Sequence, residues 1–321
     1  MEKLRETLEQ KQVLIYFGAV VLGMLVAFSV PGTMAMESAI NPALAFMLFV
    51  TFLQVPLAEL GKAFTQFRFM LALLVTNFIV LPVLVLSATS LFLTDPLLRL
   101  GVLLVLLAPC IDYVVTFAHL GRADPRLLLA ATPLLLLVQM VMLPIYLSIS
   151  LGSDAARHIE VGPFLHAFIW LIAIPLALAA IMQGMAKRHA CWNKASTILG
   201  LAPVPATALV LLIVILAVAP QLAQAQHAVV TVLPFYLAYA VFAPLCGWWV
   251  AKKMRLDAPA SRAIAFSAGT RNSLVVLPLA LAIPGAIPIL PAIIVTQTLI
   301  ELLFELLYVR LIASWGKTDT V

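Results

Sequence analysis

Charge is what this sequence has least of. Only 10% of its 321 residues are Asp, Glu, Lys or Arg, and 64% are hydrophobic. Soluble domains carry about 25% charged residues, and a mean hydropathy of +1.13 excludes that class and leaves a polytopic membrane protein. Cysteine is scarce too. Cys110, Cys191 and Cys246 show no CxxC or Cys/His spacing, which excludes a zinc site and makes a disulfide framework unexpected. No span carries an HExxH, a nucleophile with a base, or a close aspartate pair, so the chain does not read as an enzyme, and no cofactor or metal is implied. A sensor or receptor is not the expected class, since no soluble domain is read beside the apolar runs. The formal charge of +5 sits at span ends and makes no basic face, so nucleic acid is not an expected partner. Met1 to Gln12 form a charged amphipathic lead without a small-residue cleavage site, so the first apolar stretch is expected to remain as a span.

What is present is a series of apolar runs. Taking about 20 residues per crossing, spans are expected near Val13–Val30, Pro42–Leu60, Phe69–Leu91, Leu97–His119, Arg126–Ser150, Gly162–Met185, Leu201–Leu222, Val229–Val250, Arg262–Ile283 and Ile287–Ala313. With ten spans, nearly all Lys and Arg fall on one side and only Arg99 and Arg157 on the other, which places both termini in the cytoplasm of a cell inner membrane. The less hydrophobic stretch Gly152–Val161 divides the chain into five-span halves, 1–155 and 156–321. An odd number per half requires the second to be inverted. The fold class expected is therefore all-α: ten transmembrane helices as two inverted five-helix repeats.

Two spans are interrupted at matching places, by Ala108-Pro109-Cys110-Ile111-Asp112-Tyr113 in the fourth and Ala268-Gly269-Thr270-Arg271-Asn272-Ser273 in the ninth. Lipid offers no partner for backbone or charge, so such breaks persist only where protein or a wet cavity satisfies them, and paired breaks point to a transporter's binding site. Only Asp112, Arg271, Glu301 and Glu305 are charged well inside spans. Each would cost about 2.5–3.5 kcal/mol facing lipid, so each should face inward. If the broken helices 4 and 9 cross, Asp112 and Arg271 come from opposite halves and could neutralise each other, either at the substrate or as a fixed staple away from it. Glu301 and Glu305 share a helix face, and two carboxylates that close suit a group that takes up and releases a proton. Glu305 could instead pair with Arg310. Cys110 adds a soft thiol and Tyr113, Thr270, Asn272 and Ser273 neutral hydrogen-bonding groups; Cys110 could equally be a packing residue. Gln54, Asn77 and Gln139 read as ties between helices.

The segment Ala108-Pro109-Cys110, followed by Leu120-Gly121-Arg122-Ala123-Asp124, with Arg271-Asn272-Ser273 and the Glu301 helix, resembles the arsenical-resistance arsenite permeases of the bile acid:sodium symporter superfamily. The resemblance covers nearly the whole chain and implies a panel domain of spans one, two, six and seven against a core domain of the rest, with substrate handled at the interface. It implies that Cys110 matches the fourth-span cysteine those permeases need, Asn272 an asparagine of the ninth-span break, and Glu301 an acid of the tenth span. Pro109 and Leu274 depart from the arginine before that cysteine and the glutamate two residues after that asparagine. The sodium-coupled branch carries E-x-G-x-Q-N where this chain reads Ser267-Ala268-Gly269-Thr270-Arg271-Asn272, so a fixed cation stands where sodium would be liganded.

The expected function is export of arsenite or antimonite by alternating access, with substrate at Cys110, Asp112, Tyr113, Thr270, Arg271, Asn272 and Ser273 and protons exchanged at Glu301 and Glu305. Protons are the expected coupling ion, and sodium is not. The alternative is transport of a small organic anion whose carboxylate is received by Arg271.

Overall fold

Aspartate caps, prolines and the two polar breaks set the helix boundaries. The computed structural model describes residues 2–54, 66–111, 113–156, 169–222, 224–281, 283 and 287–316. Thirteen helices are described: α1 (Glu2–Ser29), α2 (Glu37–Gln54), α3 (Phe67–Phe92), α4 (Pro96–Leu106), α5 (Val114–Leu120), α6 (Pro125–Ala156), α7 (Ile169–Ala186), α8 (Ala190–Leu199), α9 (Pro203–Leu222), α10 (Gln226–Lys253), α11 (Ala258–Gly269), α12 (Ser273–Leu281) and α13 (Ile289–Leu311).

Among the described residues eight helices are long and apolar enough to cross a membrane. Ten spans were expected; the segments expected as the fourth and ninth are described as α4 with α5 and as α11 with α12, and none of these four helices reaches crossing length. Boundaries shift elsewhere. The amphipathic lead is continuous with α1, α10 runs three residues past each end of its expected span, and 55–60 and 162–168 of the second and sixth spans lie outside the described residues. Large apolar side chains stand exposed on α1 (Leu14, Leu25, Phe28), α3 (Val83, Phe92), α6 (Leu137, Ile149) and α10 (Val230, Phe242). Water would penalise such faces and acyl chains would not. The chain is a multi-pass membrane protein.

The two broken spans start alike. Asp95 caps α4 by accepting from Leu97 N at 2.8 Å and Leu98 N at 3.1 Å, with Pro96 opening the helix; Asp257 caps α11 by accepting from Ala260 N at 3.0 Å, with a proline again in the first turn. They also end alike. Pro109 drives the residues before it out of the helix, and beyond Gly269 the backbone of Thr270 is extended.

Prolines within helices orphan a carbonyl one turn back, because they have no N–H to give it. In two cases a tyrosine from another helix replaces the missing donor. Pro82 leaves Phe78 O to Tyr146 of α6, and Pro244 leaves Ala240 O to Tyr308 of α13. Just before Pro82, α3 widens into a π turn over Thr76–Val80, a distortion frequent at functional sites.

Packing sorts the helices into two groups. α1, α2, α7 and α9 pack on one another, with α8 against α7; α3, α4, α5, α6, α10, α11, α12 and α13 form the second group. Gly247 of α10 lets α11 approach: a β-carbon there would stand 2.9 Å from the carbonyl oxygen of Ile264. The groups meet where α9 touches α13 and α12 touches α2.

Candidate functional site

The two breaks cross and complete each other's backbone. Cys110 N donates to Thr270 O at 3.2 Å and Asn272 N to Ala108 O at 2.8 Å, making an antiparallel bridge between Pro109 and Arg271. An unmet backbone group in lipid costs several kcal/mol, so each break supplies what the other lacks. The expected crossing is therefore present at atomic detail, and Cys110, 1% exposed, lies in it.

Arg271 is fully buried. One terminal nitrogen of its guanidinium donates to Asn77 Oδ1 at 2.8 Å, Ser267 O at 2.9 Å and Ala268 O at 2.7 Å, the other makes a long contact of 3.5 Å to Leu106 O, and the group lies 5.3 Å from the centre of the Tyr239 ring. Ser267 and Ala268 are in the last turn of α11, and Leu106 is the last residue of α4. The guanidinium thus sits between the carbonyl ends of two half-helices, where each macrodipole is negative. Asp112, the partner expected for it, lies outside the described residues.

Glu301 lies across the break from that cation. Its Oε1 accepts from Tyr113 Oη at 2.6 Å, and its Oε2 accepts from Arg271 N at 2.7 Å and Gln297 Nε2 at 2.6 Å. Two of these three donors belong to the breaks, so the carboxylate reads the position of both at once. Glu305, one turn on and fully buried, accepts from the Thr270 hydroxyl through Oε1; the alternative pairing with Arg310 is not what the structure shows. Ser273 Oγ accepts from Thr298 at 2.8 Å, tying the start of α12 to α13. Tyr113 also meets the other helix group, edge to face with Tyr16 of α1 at 6.5 Å between centroids. The crossing therefore borders the seam between the two groups.

Several polar atoms here are buried with no hydrogen-bond partner among the described residues: Asn272 Nδ2, Gln297 Oε1, Glu305 Oε2 and Arg271 Nε. Buried polar groups are ordinarily satisfied, so donors and acceptors left open beside a break mark a candidate binding position. Of the residues singled out in the sequence, Cys110, Tyr113, Thr270, Arg271, Asn272, Ser273, Glu301 and Glu305 are brought together. Asn77, expected only to tie helices, is part of the site: its Nδ2 reaches Leu73 O and Ser267 Oγ, both at 3.1 Å, while its Oδ1 holds Arg271. Gln297 and Tyr239 were not anticipated; the spacing of Gln297, four residues before Glu301, was the available signal. Gln54 does tie helices, donating to Gly200 O at 3.1 Å.

Among the described residues no group of three or more His, Cys, Asp or Glu could hold a metal ion. Residues 41–227 match the family model described as Sodium Bile acid symporter family. That segment holds Asn77 and the first break; the second break lies beyond it. No curated protein matches the chain.

Proposed function

Because the chain belongs to the sodium bile acid symporter family and is a membrane transporter of that class, we propose that it exports trivalent arsenic or antimony, as an arsenical-resistance permease of that superfamily. In this reading the halves 1–155 and 156–321 are inverted five-helix repeats, ten spans in all, with α1, α2, α7 and α9 as panel and the remaining spans as core. The protein resides in the inner membrane with both termini cytoplasmic, and core moves against panel to give alternating access.

The observation that carries this reading is the chemistry left over at the crossing. The guanidinium faces main-chain carbonyls and Asn77, which leaves it poorly placed to receive a substrate carboxylate. The amide atoms of Asn272 and Gln297 have no partner among the described residues, and Cys110 brings a soft thiol to the same crossing. Those suit a small neutral solute that bears hydroxyls, each able to donate and accept, around a thiophilic centre, and arsenous acid is such a solute. Tyr113, Thr270 and Ser273 shape the same wall, and Asp112 is assigned to it on its place in the break. Glu301 exchanges a proton, with Glu305 as its neighbour on the helix, so that solute export is coupled to proton entry.

The alternative, a small organic anion bound through Arg271, draws support from its Nε, which has no partner among the described residues. Arsenite accumulation in cells separates the readings. Cells expressing Cys110→Ala should accumulate arsenite like empty-vector cells; accumulation as low as in wild type would remove Cys110 from the mechanism. If keto or hydroxy acids stabilise the purified protein, arsenite does not, and Arg271→Gln erases the effect, the metalloid reading fails.

A further inference from the structure

We infer that Arg271 is a built-in cation occupying a latent alkali-cation site, formed by Ser267 O, Ala268 O, Leu106 O, Asn77 Oδ1 and the face of Tyr239. The inference rests on reading the crossing as the transport centre, but not on which solute crosses.

The cage is built as a cation site is built. Three of its oxygens are main-chain carbonyls from the last turns of α11 and α4. Such carbonyls have no partner within their own helix, and half-helix C-terminal ends at a transporter's midplane coordinate small cations. The fourth is a side-chain amide oxygen held in place from behind, since Asn77 Nδ2 donates to Leu73 O and Ser267 Oγ. Tyr239 lends the negative face of its ring, and its hydroxyl donates to Ala268 O at 2.9 Å, fixing that carbonyl. Among the described residues no carboxylate ion-pairs with the guanidinium, and the four oxygens described around it are all neutral, as suits a singly charged ion with its water removed. The two carboxylates nearby, Glu301 and Glu305, are hydrogen-bonded to Tyr113, Gln297, the Arg271 amide and Thr270 instead.

A positive charge tethered by a side chain does the electrostatic work of a bound ion, offsetting two helix ends and two buried acids, but cannot leave. Transport by this chain would then require no alkali ion at the crossing. Removing the tether would restore the requirement.

Purified protein in detergent, with no arsenic present, tests this by thermal unfolding in sodium, lithium, potassium or choline chloride at matched ionic strength, and with guanidinium chloride at low millimolar concentration. Wild type and Arg271→Lys should melt at the same temperature in all of them. Arg271→Ala should be stabilised by sodium or guanidinium over choline by about 5 °C when the ion is at a hundredfold its dissociation constant. If Arg271→Ala cannot be purified in choline but is recovered in sodium or guanidinium, the inference is also supported. If it is recovered in none, Arg271→Gln takes its place. A folded Ala or Gln variant that melts identically in all the salts overturns the inference, as does wild type stabilised by sodium to the same extent. Because no arsenic is involved, failure of the arsenite reading would leave this result intact.

Discussion

The bond between Asn77 and Arg271 joins α3 to the ninth-span break, and its strength can be bounded. A hydrogen bond to a charged group contributes about 1.5–3 kcal/mol in soluble proteins. Interhelical polar contacts within membranes average about 0.6 kcal/mol and reach about 1.7. The guanidinium keeps Ser267 O and Ala268 O when Asn77 is lost, which argues for the lower range, but its charge and complete burial argue for the upper. A coupling of about 1–2 kcal/mol satisfies both. Asn77→Leu also loses the bonds to Leu73 O and Ser267 Oγ, so the single variant should be destabilised by about 2–3 kcal/mol. The assay is unfolding by SDS in mixed micelles, followed by circular dichroism, on wild type, Asn77→Leu, Arg271→Met and the double variant. A coupling below about 0.3 kcal/mol, within the error of such cycles, would refute the idea that Asn77 positions the guanidinium.

Three further outcomes follow from the same geometry. Tyr308→Phe leaves the Ala240 carbonyl without its donor and should cost about 1–2 kcal/mol in the same unfolding assay; Tyr146→Phe should do likewise at Phe78. Glu301→Gln should abolish flux driven by a pH gradient while arsenite counterflow at equal pH persists, since a permanently neutral amide can still accept through its one oxygen from Tyr113 or from the Arg271 amide but cannot carry a proton; pH-driven flux at the wild-type rate would remove Glu301 from coupling. Tyr113→Phe takes one of three donors from that carboxylate, and the pH dependence of transport should move with it, whereas an unchanged pH profile would make the bond purely structural.

The crossing was legible because polar and helix-breaking residues interrupt otherwise apolar runs, and lipid permits that at few places. Pro109, Arg271 and the acid pair on α13 announced themselves for that reason. The role of Asn77 could not be read from its neighbours. It depends on a π turn in α3 and on α11 packing against that turn, and neither is encoded in the spacing of one segment. The partners of Arg271 were hidden for a different reason. Three of them are main-chain carbonyls, which every residue possesses, so the eye goes to Asp112 and misses them. The two expected spans that no described helix of crossing length matches are the two that carry the breaks. The tyrosine plugs at Phe78 and Ala240 show the same limit: each proline marks a missing donor, but not which helix supplies the replacement.

Flux of arsenite into proteoliposomes under imposed pH or sodium gradients tests the central claim most directly. The account predicts uptake that follows the pH gradient, ignores sodium and disappears in Cys110→Ser. Uptake driven by sodium alone, or undiminished when Cys110 is replaced, would contradict it.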